Sequence, residues 1–481
     1  MLIVALGFVV RLYKIDNPIA DWHSWRQSDT AAVTRIYAER GIDILHPRYY
    51  DISYLQSGKP NPQGLRFVEF PIFNIAHLFL VSLVPQLSLE ILGRLVSVFS
   101  SLISVVLLFF LTRRFLGTAG GLLASFFFAA MPFNIYFSRV ILPEPMAVTF
   151  ALGALWTFVL WFDKQKSTFI APATNLFIVL SGLLFAGALL VKPYIIFYAL
   201  PMFWLAGLNY QWDWRKMLRS RQLWVFAFLS FVPLLAWRIW MLKYPEGIPF
   251  YSWAFNSDAI RFKPSFWRWI FGERLGKMML GGWGTFLFVT GLLAKARREE
   301  RWVPIVLAFA MFAFVSVVAT ASVRHDYYQT LIVPAVAIIL ARGVVFLWNT
   351  DALPRMATRL AVLVTIAWTI VFPFYELREF YKINHPEIIR AGEALDKIAS
   401  RDALVIAPYN GDTAFLYQTK RQGWPYMTNS IEQLIEQGAD YFVSVNLNDP
   451  QTQDVMRKFE IPVQTEEYVI IDLSKKRQPK D

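Results

Sequence analysis

Long apolar runs separated by short charged connectors fill most of residues 93 to 374, and the pattern changes on either side of them. A run of about 20 apolar residues is the length at which a helix crosses a bilayer. The runs predict spans at roughly 93–112, 118–136, 146–162, 171–190, 194–208, 223–241, 278–294, 302–321, 327–348 and 360–374. Met1 to Arg11 is apolar but short. Either the true start lies upstream, or the helix tilts and the bilayer thins around it. No small-residue cleavage site follows, and Arg11, Lys14 and Asp16 come next, so the segment reads as a retained first helix rather than a signal peptide. Together these give about eleven crossings.

The connectors alternate in charge. Arg113-Arg114, Lys164 with Lys166, Arg215 to Arg221, Lys295 to Arg301, and Arg355 with Arg359 are the basic ones, which places them on the cytoplasmic side. Residues 14–92, 137–145, 191–193, 242–277 and 322–326 then face outward, with the tail from Tyr375. Within the first outer segment, Phe70 to Val84 reads as an apolar helix lying in the interface.

From His385 the period changes again. Helix-like pieces (Pro386 to Ser400, Ser430 to Gln437) alternate with short β-branched and aromatic runs (Ala403 to Ala407, Tyr441 to Val445, Tyr468 to Asp472). The tail therefore reads as a small extracytoplasmic α/β domain over 375–481, following a transmembrane domain over 1–374. The Tyr409-Asn410-Gly411-Asp412 turn lacks the glycine spacing of a dinucleotide fingerprint. No internal repeat or low-complexity segment stands out.

Composition agrees with a multi-pass cell-membrane protein: 56% of the 481 residues are apolar and 17% aromatic. The net charge of +12 could mark a nucleic-acid binder, but the basic residues concentrate in alternate connectors, so no nucleic-acid partner is expected. Cysteine is absent, which removes disulfides, thiolate metal sites and a cysteine nucleophile.

What changes the picture most is the position of the remaining charges. Asp21, His23, Arg26, Asp29, Glu69, Arg139, Glu144, Lys192, Arg324 and His325 all fall at or just beyond span ends on the predicted outer side. Ionisable groups are costly there unless solvated or paired, so their concentration marks a candidate reaction site. Asp21-Trp22-His23-Ser24-Trp25-Arg26-Gln27-Ser28-Asp29 is the densest stretch, followed by a helix predicted over Thr30 to Arg40. The plain reading of Asp29 is a helix N-cap. Capping does not account for two acids, a His, an Arg and two Trp within nine residues. A general base needs a carboxylate within reach of an acceptor hydroxyl or amine, with a nearby cation to keep it ionised.

Each other candidate also has a plain reading. Glu69 stands before the interfacial helix, where an exposed helix-start glutamate is ordinary. Arg139 and Glu144 flank a turn fixed by Pro143 and Pro145, where a mutual salt bridge would order the loop. Lys192 ends the fifth span, as a snorkelling lysine does. Arg324-His325 is the most compact outer cation pair, and a guanidinium fork matches phosphate oxygens. Trp22 and Trp25 suit interfacial anchoring as well as sugar stacking.

There is no HExxH, Walker loop, GxSxG elbow or cysteine metal set, which removes the common zinc-protease, ATPase and serine-hydrolase classes. The five His are too scattered for a metal site. No cofactor is expected, although spacing leaves open an oxygen-ligated Mg²⁺ or Mn²⁺ at Asp21, Asp29 or Glu144.

Four local patterns resemble the GT-C superfamily of membrane glycosyltransferases, within it the protein O-mannosyltransferase and aminoarabinose-transferase-like group (glycosyltransferase family 39-like). They are the acidic first outer loop and its helix (Asp29 to Gly41), Glu69-Phe70-Pro71, the turn with Ser138, Arg139 and Glu144, and the segment from Arg324 to Pro334. The likeness covers roughly residues 1 to 350. The chain departs from the group's pattern where Ser28-Asp29 replaces an Asp-Glu pair, where Glu144 replaces an Asp, and where one Pro follows Glu69. The resemblance implies an inverting, metal-independent or loosely metal-linked transfer of a sugar from a polyprenyl-phosphate carrier to a lipid, glycan or protein acceptor on the outer face.

On that reading Asp29 or Asp21 takes the acceptor's proton, while Arg324, His325, Lys192 and Arg139 stabilise the departing phosphate. Glu144 and Glu69 position sugar hydroxyls or orient the cations, with His23, Arg26, Trp25 and Tyr328 contacting substrate. Two alternatives stand beside it. A transporter or lipid flippase with an outer receptor domain would show interrupted helices and midplane polar groups in related halves, and the halves here do not look alike. A glycan ligase of similar fold uses the same leaving group and differs only in the donor.

Overall fold

The computed structural model describes residues 1–165, 173–295 and 298–477. Lys166, the first two residues of the 171–190 span, Ala296 and Arg297 of the Lys295 to Arg301 connector, and the tail from Gln478 lie outside the described residues. The chain forms two compact units: residues 1–15, 94–238 and 251–379 in the first, and 16–93, 239–250 and 380–481 in the second.

The first unit is helical, as its long apolar runs require. Among the described residues six helices are long and apolar enough to cross a membrane by length and composition: Leu89–Ala130, Glu144–Gln165, Arg221–Met241, Glu299–Val317, Asp326–Trp348 and Arg355–Tyr381. Shorter apolar helices include Leu2–Arg11, Asn175–Val191, Pro193–Asn209 and Gly284–Leu293. The 42-residue run Leu89–Ala130 is broken at Gly117, whose φ of 78° and ψ of 179° leave the helical region. Glycine alone adopts that conformation at little cost, so the bend falls on Gly117 and the helix runs straight through Arg113-Arg114.

Three of the predicted basic connectors meet at one end of this bundle. Arg114 binds Asp163 through two nitrogens at 2.7 and 2.8 Å and reaches Glu300 at 3.3 Å. Helices Gly284–Leu293 and Val333–Trp348 pack backbone to backbone: a Cβ on Gly291 would lie 2.0 Å from the Ile339 carbonyl oxygen, and one on Gly343 2.0 Å from that of Leu287. Small residues permit this approach where helices associate in lipid. Gly343→Leu is therefore expected to cost about 3 kcal/mol or more. Thermal unfolding in detergent checks this; an unchanged midpoint would contradict the packing.

The second unit combines the first loop with the tail. Its sheet runs in the order β2-β1-β3-β5-β4, with β1 Leu404–Ile406, β2 Gly423–Trp424, β3 Ala439–Ser444, β4 Phe459–Gln464 and β5 Val469–Lys476. β1 pairs in parallel with β2 and β3, while β5 runs antiparallel to β3 and β4. Val469, Ile471 and Leu473 alternate onto one face and join Phe442, Leu434 and Val455 in the core. Helices Glu387–Asp396 and Thr413–Thr419 pack with β5 and β1 respectively. The loop is tied into this sheet: Asp51 bridges to Gly423, and a Cβ on Gly423 would strike the Val405 carbonyl. The tail is thus one body with residues 16–93.

Candidate active site

In the second unit the helix begins earlier than the sequence predicts. It runs Ser24–Arg40, preceded by His23 in a left-handed conformation (φ 56°). Asp29 therefore sits in the second turn and is not an N-cap, which removes the capping alternative. The helix is buried from Arg26 through Thr34, so a carboxylate at Asp29 has to be paired.

Two side chains pair with it. Arg66 Nη1 lies 2.9 Å from Asp29 Oδ2, and Thr413 Oγ1 donates to Oδ1 at 2.6 Å. The Arg66 guanidinium stacks 4.9 Å over the Tyr49 ring, which fixes its plane. Nearby, buried Arg26 bonds the partly buried Glu69 at 2.7 Å, and Asp21 accepts from Gln27 at 2.6 Å. Asp51 accepts from the Ser53 N–H at 2.8 Å and from the Tyr49 hydroxyl at 3.3 Å.

Burial pushes the Asp29 pKa above the ordinary range, against the opposing pull of Arg66, Thr413 and Arg26. Burial likewise raises Asp51 to about 6 and Asp412 to about 6. A carboxylate whose affinity for protons is raised, with a guanidinium at its side, is suited to general-base work.

The other loop candidates take lesser places. Trp22 stacks on Phe380 at 4.8 Å and remains 43% exposed, with an edge toward His23. Trp25 is half-buried, and its carbonyl oxygen lies 3.4 Å from Thr413 Oγ1, whose single proton points to the much closer Asp29.

In the first unit Glu144 opens helix Glu144–Gln165 and is fully buried. Lys192 Nζ bonds its Oε1 at 2.6 Å. The ammonium also lies 4.6, 5.6 and 6.0 Å from the rings of Tyr328, Tyr327 and Tyr194. Thus the turn at 144, the span end at 192 and the segment at 327–328 converge.

Arg139 is fully buried and donates to the carbonyls of Tyr13 and Lys14, while Arg94 donates to that of Ile15 at 2.7 Å. These guanidinium groups satisfy carbonyls just past the first helix. Arg324 is exposed and only 3.8 Å from an equally exposed Asp258. His325 lies edge-on to Trp253 at 5.5 Å. Arg274, which the sequence reading passed over, forms a buried pair with Asp326.

Arg66, Asp51, Thr413 and Tyr194 were also passed over as site residues. Arg66 had a usable signal, a cation three residues before Glu69. Thr413 had none, being 384 residues from its partner. Among the described residues no group of three or more His, Asp or Glu is placed to hold a metal ion. A cavity of about 530 Å³ in the first unit is lined almost wholly by apolar side chains, including Phe271, Leu275, Phe288, Phe309, Phe312 and Val336.

Residues 75–240 match the family described as dolichyl-phosphate-mannose-protein mannosyltransferase. No curated protein sequence matches the chain significantly. Among solved structures, ArnT from Cupriavidus metallidurans bound to undecaprenyl phosphate is 12% identical, with a TM-score of 0.67 over 98% of this chain and 97% of that one. The oligosaccharyltransferase AglB from Archaeoglobus fulgidus, in complex with an inhibitory peptide and a dolichol-phosphate, is 11% identical, with a TM-score of 0.59 over 98% and 74%. The arabinofuranosyltransferase AftD from mycobacteria is 14% identical, with a TM-score of 0.53 over 98% and 41%. The chain shares the fold of these proteins, in line with the resemblance read from its sequence.

Proposed function

We propose that the chain is an integral-membrane glycosyltransferase that moves a sugar from a polyprenyl-phosphate donor to a cell-envelope lipid, glycan or protein acceptor on the outer face. The observation that carries this reading is the buried Asp29 carboxylate, paired with Arg66 and raised in proton affinity, in a chain of this fold. Asp29 accepts the acceptor's proton as its oxygen attacks the anomeric carbon. The bond to the carrier phosphate breaks as the new one forms, which inverts the centre through an oxocarbenium-like transition state.

Lys192, oriented by Glu144, and Arg324 neutralise the phosphate that leaves. Arg139 positions the chain through its carbonyl contacts. The fold neighbours support a donor of this class: one was solved with undecaprenyl phosphate and another with a dolichol-phosphate. The apolar cavity is of a character that accepts an isoprenoid tail and not a sugar.

The test supplies purified protein with a panel of undecaprenyl- and dolichyl-phosphate sugars and source-cell envelope membranes as acceptor. Consumption of one donor with release of the polyprenyl monophosphate is the expected result. Consumption of none removes the reading, and consumption of a preassembled lipid-linked oligosaccharide alone converts it to glycan ligation.

A further inference from the structure

The tail helix Thr413–Thr419 lies against helix Ser24–Arg40, joined to it by two sets of side-chain contacts. One is structural: Arg35 donates to the Tyr417 hydroxyl at 2.5 Å and lies 4.1 Å over its ring, and both donate to Glu90 Oε1 at 2.6 Å. The other ends on the candidate base, where the Thr413 hydroxyl meets Asp29 Oδ1 at 2.6 Å. Asp412 caps the tail helix by accepting from the Ala414 N–H at 2.7 Å, so Thr413 is its first residue and its backbone is fixed.

We propose that Thr413 is a positioning residue for Asp29, through which the tail domain sets the orientation and proton affinity of the base. This rests on the base role given to Asp29 above. An ionised carboxylate offers about four acceptor sites. Thr413 occupies one on Oδ1 while Arg66 pairs ionically with Oδ2, which leaves acceptor sites for a substrate hydroxyl. The groups acting on Asp29 are Arg26 and Thr413, which with Arg66 favour its charged form, and Glu69, which opposes it. Tyr49, Asp51 and Asp412 lie close enough to feel its charge. Thr413 is the neutral group among them that donates to Asp29 itself. Its hydroxyl bonds the charged form, so losing it moves the base's pKa upward.

The experiment measures kcat and KM against pH on the full chain, with the donor the panel identifies. Thr413→Val is expected to move the acidic limb of the kcat profile up by about one pH unit and lower kcat at pH 7 about tenfold, with KM for donor unchanged. Thr413→Ser is expected to restore both. Tyr417→Phe loosens the same helix without touching the Thr413 bond and should leave the limb in place.

A Val profile superimposable on wild type overturns the proposal, as does Ser as impaired as Val, or Tyr417→Phe moving the limb equally. Should the Val variant not fold, Thr413→Ala carries the same expectation. A wild-type chain that consumes no donor overturns the base assignment and this inference with it. An active wild type with an unmoved Val limb overturns the positioning role alone.

Discussion

Asp29→Asn is expected to lower kcat about 10³-fold while leaving KM for the donor lipid near its wild-type value. The amide keeps the size of the carboxylate and can still accept from Thr413, but it takes no proton. The loss therefore falls on the chemical step. The same substitution strips Arg66, which is 7% exposed, of its counter-charge. Some stability is lost as well, because a buried charge without its partner is costly. Measuring the thermal midpoint beside the kinetics separates the effects: in the fraction that remains folded, the rate should still be down about 10³-fold. Full activity in folded Asp29→Asn would remove the mechanism. A second consequence follows from the burial of Asp29, which raises its pKa. On the proposed base role, the acidic limb of the wild-type profile is expected above the usual aspartate range, because a general base acts once it has lost its proton.

Lys192→Met is expected to lower kcat by about 10²- to 10³-fold, the scale seen when one preorganised donor is removed from a developing charge. It also leaves Glu144 buried and unneutralised by its lysine, at a cost of about 3–5 kcal/mol. The double variant Lys192→Met/Glu144→Gln separates the two roles. It removes both charges of a pair that is 2.6 Å apart and nearly inaccessible, so stability should recover toward wild type. On the phosphate-binding role proposed for Lys192, activity should not recover. A stable and fully active double variant would mean that the pair serves packing alone. Arg324→Ala is a useful contrast: at 57% exposure its effect should be smaller and more sensitive to salt.

The helical character of the first unit was legible because hydrophobic length is a strong signal. Even so, the turn after the first long span fell on Gly117 and not on the arginines before it, since a backbone that leaves the helix needs a residue without a Cβ. The start of helix Ser24–Arg40 was hidden because His23 precedes it in a left-handed turn and makes no side-chain cap. That same miss made Asp29 look like a cap.

In the tail, three strands and two helices were anticipated, while Thr413–Thr419, Pro450–Lys458, β2 and β4 were not. Both helices carry a capping aspartate, Asp412 and Asp449, and the second has Pro450 at its first position. Those signals were present and short. β4 contains Pro462 and lies at the sheet edge, the one place where a proline is tolerated, so its composition argued against a strand. Of the candidate site, the sequence offered the acids and cations by residue type alone. Their pairings were not legible, because Arg66 with Asp29, Thr413 with Asp29 and Lys192 with Glu144 are contacts made only by tertiary packing.

One measurement separates bond cleavage from mere passage of lipid. Purified chain is reconstituted in vesicles carrying the accepted polyprenyl-phosphate sugar and source-cell envelope membranes, and the carrier lipid and the configuration of the product linkage are read together by mass spectrometry and NMR. Polyprenyl monophosphate released one for one with product of inverted anomeric configuration is the predicted result. Intact donor redistributed between leaflets, or product of retained configuration, would contradict it.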